Sequence, residues 1–559
     1  MKGLQRYRGL WLLVGLWGLT AVACQLGTLG QSDNTDTVNI PRDAAVVTVV
    51  ANSSLVPWLQ QAANDFNATE SQTADGKTAF AMVQGQESGQ FITDIAGGSA
   101  ELPTLWLPDS PVWTNVLADQ GYDAFQTGCV SVARSPLVIG VWRPAAESLG
   151  WPSYALGWLD FGSLAQDPAA WKFYSGGAYG DNLRLSHTHP GLSGAGASTL
   201  LALVQSAQRQ TEAVTVDEIS LPLVQASVGA FESAVAYFAS DPYTLAQTMS
   251  ERGAAYLGAA VMYESDAVSS APGQIVPIYP LEGTFVATHP ACINRQAAAV
   301  EQEAASLFRD YLLSDAGQAT AVTHALRPVN GTTPVGAPLT AENGVDLDQP
   351  AIVFGEPTVA SIYAIQDVWQ AARKPVNLVL LLDTSGSMRG SKMESMREAA
   401  VQFVAQMGDD DHLTIIAFST EPYLLVEGMQ VGEARVKLTN TIRDLNASGD
   451  TTLFDAIGDG ATSIARTNDP ALTNAMVVLS DGQDTRSYRY RFNQDLIDYA
   501  TGSDTTIFTI AYGSDADEGV LGQLAISGNG NFYRGDEASI AAIYEAMSAA
   551  FGGSVGVGR

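Results

Sequence analysis

Apolar, β-branched runs alternate with stretches of helical period along most of the chain. Residues 45–50 form an apolar, β-branched run and predict a buried strand. Asn52-Ser53-Ser54 supplies a turn, and Pro57 then stands in the first turn of a predicted helix carrying Leu59, Ala62, Ala63 and Phe66. Strand, short polar loop and helix make one βα unit, which favours a parallel sheet. Further strands are predicted at 104–107, 137–142 and 274–279, and helices at 198–206 and 299–313. The alternation restarts after Lys374-Pro375. Strands are predicted at 377–382, 412–418, 423–426, 476–479 and 506–512, with helices at 391–407, 453–465, 492–500 and 540–551. This second series predicts a doubly wound α/β domain. The connection at 374–375 is short, so the two domains are expected to touch.

Composition narrows the class. The chain has 559 residues, too many for one ordinary core. Apolar residues make up 46% and charged residues 16%, the balance of a folded rather than a disordered chain. The net charge of −31, from 59 acidic and 28 basic residues, argues against nucleic-acid binding, which needs a basic face.

The first 24 residues read as a targeting segment. Lys2, Arg6 and Arg8 precede an apolar run over 10–23, too short and wrongly flanked for a membrane span. Ala21-Val22-Ala23-Cys24 resembles a bacterial lipobox, with Ala21 where leucine is usual. That resemblance implies a signal peptide over 1–24, lipidation of Cys24 and anchoring on the outer face of the cell membrane or in the periplasm. A plain signal peptide cut at the same small residues is the alternative. Residues 25–43, rich in Gly, Thr, Ser, Asn and Asp, read as a flexible tether. Removing Cys24 leaves Cys129 and Cys292. An even pair in an exported protein suggests a disulfide, worth about 5 kcal/mol for so long a loop in the chain-entropy picture. Two separate buried thiols are the other reading.

Residues 44–372 resemble the type II periplasmic binding proteins, a bilobal α/β fold. The resemblance rests on an ordered set of segments: Ala51-Asn52-Ser53-Ser54, CVSVARSPLVIGV from Cys129, LSHTHPGLSGAGAS from Leu185, Tyr263-Glu264, IYPLEGT from Ile278 and the closing run from Phe308 to Pro328. It implies a small-molecule solute between two lobes, with Ser53, Ser54, Ser193 and Tyr263 as ligand contacts. It also places Cys129 and Cys292 on neighbouring crossover strands. Ser193-Gly194-Ala195-Gly196 opens a helix, where free backbone N–H groups and the helix dipole suit an anion; Ser193 as a simple N-cap is equally open. Glu264 and Glu282 read as ligand contacts or core-edge partners, the latter preferred for Glu282.

Asp383-Thr384-Ser385-Gly386-Ser387 follows the strand 377–382 directly, and Ser480-Asp481-Gly482 ends the strand 476–479. Ligands of open α/β sheets bind at carboxyl ends of strands, so two carboxylates and two hydroxyls converge there. Thr451, in the turn before the helix 453–465, offers a third hydroxyl. These three parts resemble the metal-ion-dependent adhesion site of von Willebrand factor A (VWA) domains, over 373–555. The resemblance implies a Mg²⁺ ion (or Mn²⁺ or Ca²⁺) on Asp383, Ser385, Ser387, Thr451 and Asp481, with a coordination position open to an acidic side chain of a protein partner. Hard, oxygen-seeking Mg²⁺ suits such donors. Asp450 departs from the family, which often has glycine there, and leaves Thr452 as a rival to Thr451. Asp409, Asp410 and Asp411 read as a solvated turn.

Enzyme signatures fail. Gly191-Leu192-Ser193-Gly194-Ala195 misses GxSxG by its last residue, and Gly76-Lys77-Thr78 lacks the earlier P-loop glycine. The five histidines include no HExxH pair. The expectation is a non-enzymatic, lipid-anchored binding protein. The alternatives are an importer receptor with the VWA part as an assembly module, or a metal-dependent hydrolase for which no general base can be named.

Overall fold

Residues 45–51, 79–85 and 105–107 form three parallel strands of one sheet, in a computed structural model that describes residues 40–557 except 126–128, 181, 468 and 470. Cys24, the predicted signal peptide and most of the predicted tether lie outside the described residues. In chain order the strands of the first half are β1 (Ala45–Ala51), β2 (Ala79–Gly85), β3 (Leu105–Leu107), β4 (Val130–Ser131), β5 (Ser135–Trp142), β6 (Leu185–Thr188), β7 (Val235–Ala239), β8 (Ala259–Tyr263), β9 (Ile275–Ile278), β10 (Val286–Ala287) and β11 (Pro290–Ile293). They make two sheets. The first runs β2-β1-β3-β11-β4, and the second runs β10-β5-β8-β6-β7 with β9 on β5. These are the cores of two lobes. Trp58, Leu59, Phe66 and Phe308 pack on the first sheet, and Leu200, Leu203, Val228 and Phe231 on the second.

The chain crosses between lobes at β4–β5 and returns at β10–β11. β4 and β11 pair antiparallel, Ala291 opposite Val130. Cys129 and Cys292 flank that pairing and are disulfide-bonded, with Cα atoms 4.2 Å apart. The bond staples the crossover itself.

The second half contains β12 (Val376–Asp383), β13 (His412–Phe418), β14 (Pro422–Gln430), β15 (Thr473–Ser480), β16 (Thr506–Tyr512) and β17 (Asn529–Gly535), in the order β14-β13-β12-β15-β16-β17. All but β14 are parallel. β12 and β15 are apolar on both faces because helices cover both. Met396, Phe403 and Tyr544 fill one side, and Leu453, Ile457 and Ile464 the other.

The described residues from 40 to 557 form one compact unit. Helix Val359–Ala372, absent from the sequence reading, packs with lobe 2 and leads into β12. Its Trp369 ring meets Phe238 at 4.9 Å and His189 at 4.5 Å. Beyond the last helix, Ile540–Ala550, the chain returns to lobe 2: Val557 N–H donates to Gly191 O at 2.9 Å, and the His189 Nε2 lies 3.0 Å from Gly553 O. Arg373 forks onto Asp411 at 2.9 and 3.0 Å, and Asp411 also accepts from Val376 N and Gly408 N. Asp411 is therefore not part of a solvated turn. It is buried because the guanidinium and two backbone N–H groups replace its water, while Asp409 and Asp410 stay exposed.

Candidate functional sites

The loop after β12 and the end of β15 are neighbours because these strands pair in parallel, Leu382 opposite Leu479. Asp383, Ser385, Ser387 and Asp481 thus meet at one sheet edge. Ser385 Oγ lies 2.9 Å from Ser387 Oγ, which donates to Asp481 Oδ1 at 2.7 Å. Asp383 accepts from Ser385 N–H at 2.8 Å and Ser480 Oγ at 2.7 Å. Burial, reinforced by the Asp481 charge, raises the Asp383 carboxyl to about 6 despite those bonds. The Lys392 ammonium sits 2.7 Å from Asp481 Oδ2 and supplies the positive charge that this fully buried carboxylate needs.

The turn carrying Thr451 is fixed by Gly449, whose φ of +84° and contact with Thr420 exclude a side chain. Gly449 O accepts from Gly386 N–H at 3.0 Å, which ties the turn to the β12 loop. Thr451 Oγ1 and Ser387 Oγ flank Gly482 alike, each 4.0 Å from where a Cβ would stand on it. Thr452 Oγ1 is spent on Ser419 O at 2.9 Å, so Thr451 is the threonine at the site. Asp450 points outward to Arg486 at 2.8 Å. The cluster offers hydroxyl and carboxylate oxygens only, a donor set that fits a hard divalent cation.

The second site lies between the lobes. Ser53 and Ser54 follow β1, and Tyr263 ends β8. Each meets a carboxylate that the sequence reading did not single out. Ser193 Oγ donates to Glu87 at 2.6 Å, Tyr263 OH to Asp109 at 2.6 Å, and Ser54 Oγ to Asp266 at 2.8 Å. Each pair joins one lobe to the other. Glu87 also accepts from Ser53 Oγ, Ser53 N–H and the Asn52 amide, and Asp109 from Ser88 Oγ at 2.9 Å. Burial is the main cause lifting all three carboxyls, Glu87 to about 8 and Asp266 to about 7, with Asp241 raising both further.

Ser193 caps nothing: its hydroxyl makes no bond to its own helix, Gly194–Gln208, and goes to Glu87 instead. The helix start does not face a free anion site either. The Asp109 carboxylate lies so close to Gly194 that any side chain there would collide with it. Glu264 pairs with Arg327 at 2.5 Å, and Glu282 accepts from Trp158 N–H and Leu159 N–H at a helix start. His187 binds Glu232 at 2.9 Å, apart from His189. The missed residues carried a usable signal. Glu87 and Asp109 stand just beyond strand ends, where open sheets bind ligands, but the strand before Glu87, β2, is not among the predicted strands.

Two lobes joined by a double crossover, followed by a doubly wound sheet with an oxygen cluster at its carboxyl edge, define a binding protein of two functional parts. The family model of bacterial extracellular solute-binding proteins matches residues 47–327, and that of the von Willebrand factor type A domain matches 377–546. The chain belongs to the bacterial extracellular solute-binding family and carries a VWA domain after it. The chain is similar to an uncharacterized protein of Synechocystis, 28% identical over 159 residues, 28% of this chain and 37% of that one. It is also similar to an inter-alpha-trypsin inhibitor heavy chain of Sus scrofa, 27% identical over 178 residues, 30% of this chain and 19% of that one. The chain thus spans little more than a third of the first relative and just under a fifth of the second. Among solved structures, the sulfate-binding protein SubI of Mycobacterium tuberculosis is 15% identical with a TM-score of 0.39, covering 57% of this chain and 95% of that one. A VWA protein of Catenulispora acidiphila is 19% identical with a TM-score of 0.29, covering 32% and 43%. Both domains point to a binding role rather than a catalytic one. The family fits an extracellular or periplasmic location, and no described helix is long and apolar enough to cross a membrane.

Proposed function

We propose that the protein is a lipid-anchored receptor on the outer face of the cell membrane, with two ligands. The solute-binding domain closes over a small molecule, and the VWA domain captures a protein through a divalent cation. The observation that carries the second half is the oxygen cluster at the carboxyl ends of β12 and β15. Ser385, Ser387, Thr451 and Asp481 would hold the ion, with Asp383 behind them, its oxygens already engaged by Ser385 and Ser480. Mg²⁺ fits this donor set best, and Mn²⁺ or Ca²⁺ share its preference for oxygen. A bound ion of this kind supplies an electrophilic position that favours a carboxylate from an acidic side chain of the partner. Cys24 would carry the lipid.

The test is thermal unfolding of the full chain, stripped with EDTA and titrated with MgCl₂. Saturation at 100 times the dissociation constant adds about 2.7 kcal/mol of stability. We expect Asp383→Ala and Asp481→Ala to abolish that gain. A gain that persists unchanged in both variants removes the ion from this site and the proposal with it. Labelling with a palmitate analogue, with and without Cys24→Ala, decides the anchor.

A further inference from the structure

We infer that the interlobe cleft takes a small organic cation, an ammonium-bearing solute held by Glu87, Asp109, Asp266 and His289. The inference rests on the reading of this domain as a solute receptor and names its ligand class. Three carboxylates face one another's lobes through single hydroxyl groups, as described above. Among the described residues, no lysine or arginine pairs with any of them; their partners are hydroxyls, the Asn52 amide and backbone N–H groups. The charged groups acting on them are themselves acidic, Asp241 on Glu87 and Asp266, and Glu356 on Asp109. When the lobes part, water reaches these groups and the cleft becomes a concentrated negative field. Anions are repelled from such a field and cations drawn to it.

His289 points independently to an absent ligand. It is fully buried, and neither ring nitrogen has a hydrogen-bond partner. Buried polar groups are rarely left so. The residue belongs to the cleft: its ring lies 5.8 Å from the Tyr263 ring, and its N–H donates to Asp109 O at 3.3 Å. Its backbone is held at φ +38°, an unfavourable region for histidine that the surrounding fold must impose. Burial keeps the imidazole neutral, so it offers one N–H and one lone pair. An ammonium donates to that lone pair and to the carboxylates together. The oxyanion expected at the helix start is excluded by Asp109, which already stands against Gly194.

The experiment is calorimetric titration and thermal unfolding of the full chain with putrescine, spermidine and ethanolamine, and with sulfate and glucose as opposing probes. Putrescine or another of the amines is expected to bind. Glu87→Gln and Asp109→Asn, which keep shape and lose charge, should each weaken it at least about tenfold. Circular dichroism and the melting curve at acidic pH confirm that both variants fold. Binding of sulfate or glucose without the amines overturns the cation class and leaves the receptor reading standing. No binding by any probe overturns both. A response to Mn²⁺ alone, in an Asp481→Ala chain whose VWA site is disabled, replaces the ammonium by a metal and overturns the inference.

Discussion

Glu87→Gln isolates the electrostatic character of the closed cleft. Glu87 is buried among Ser53, Asn52 and Ser193, and faces the charges of Asp241 and Asp109. Its carboxyl is raised from 4.5 to about 8. A raised acid favours the protonated, closed form. Its contribution to closure is therefore complete below about pH 4.5 and is lost as pH climbs through 8. At about 1.4 kcal/mol per tenfold change, that range corresponds to a few kcal/mol, about 5 at most, at this one position. Asp266, raised to about 7, adds a loss of the same sign over a lower window. Glutamine keeps the acceptor for Ser193 and carries no proton to lose. Urea unfolding of the wild type and the variant at about pH 5, 7 and 9 tests this directly. The wild type should weaken with rising pH more steeply than the variant, and the gap between them should widen by more than about 2 kcal/mol from one end to the other. Parallel curves, with a gap constant to within about 0.5 kcal/mol, would refute the reasoning.

Two further outcomes follow from buried charge. Arg373→Met leaves Asp411 buried without its guanidinium, and should cost about 3–5 kcal/mol in urea unfolding while Asp383 and Glu87 keep their surroundings; a loss under about 1 kcal/mol would show that Asp411 is reached by water. Lys392→Met frees Asp481 Oδ2 from its ammonium, and should tighten Mg²⁺ binding in calorimetry by about tenfold, or about 1.4 kcal/mol, through the loss of a competing cation; unchanged or weaker binding would mean that Lys392 does not compete with the ion.

What the sequence makes legible differs between the two sites for a physical reason. The VWA cluster is local: Asp383, Ser385 and Ser387 lie within five consecutive residues, and Asp481 ends an unmistakable apolar strand. Periodicity alone placed β13, β16 and the helix Ala299–Leu313 at their observed limits. The cleft is not local. Glu87 and Ser193 come from different lobes, and only the crossover through β4 and β5 brings them within 2.6 Å. The helix start at Gly194 looked like an anion site because its own residues suggest one. The group that rules it out, Asp109, follows β3 in the other lobe. β2 was missed because its outer half alternates in burial and ends in Gln84-Gly85, which weakens the apolar run. Helix Val359–Ala372 lies inside the stretch 44–372, ahead of the short connection at 374–375, and its apolar positions bind it to lobe 2.

The return of residues 551–557 to Gly191 and His189 bears on how such a protein is inherited and engineered. The VWA fold ends, by its own secondary structure, at Ala550. Of the residues after it, Phe551 and Ser554 still hold to the VWA fold, while Gly553 and Val557 reach the other domain and hydrogen-bond the loop that presents Ser193 to the cleft. A foreign VWA module grafted on at Pro375 would bring its sheet and its metal loops but not this strap. The loop behind Ser193 would then lose partners for His189 and Gly191, both buried in the native protein. The two halves are therefore not interchangeable cassettes. A working exchange must carry the strap with the VWA fold, or keep it from the recipient.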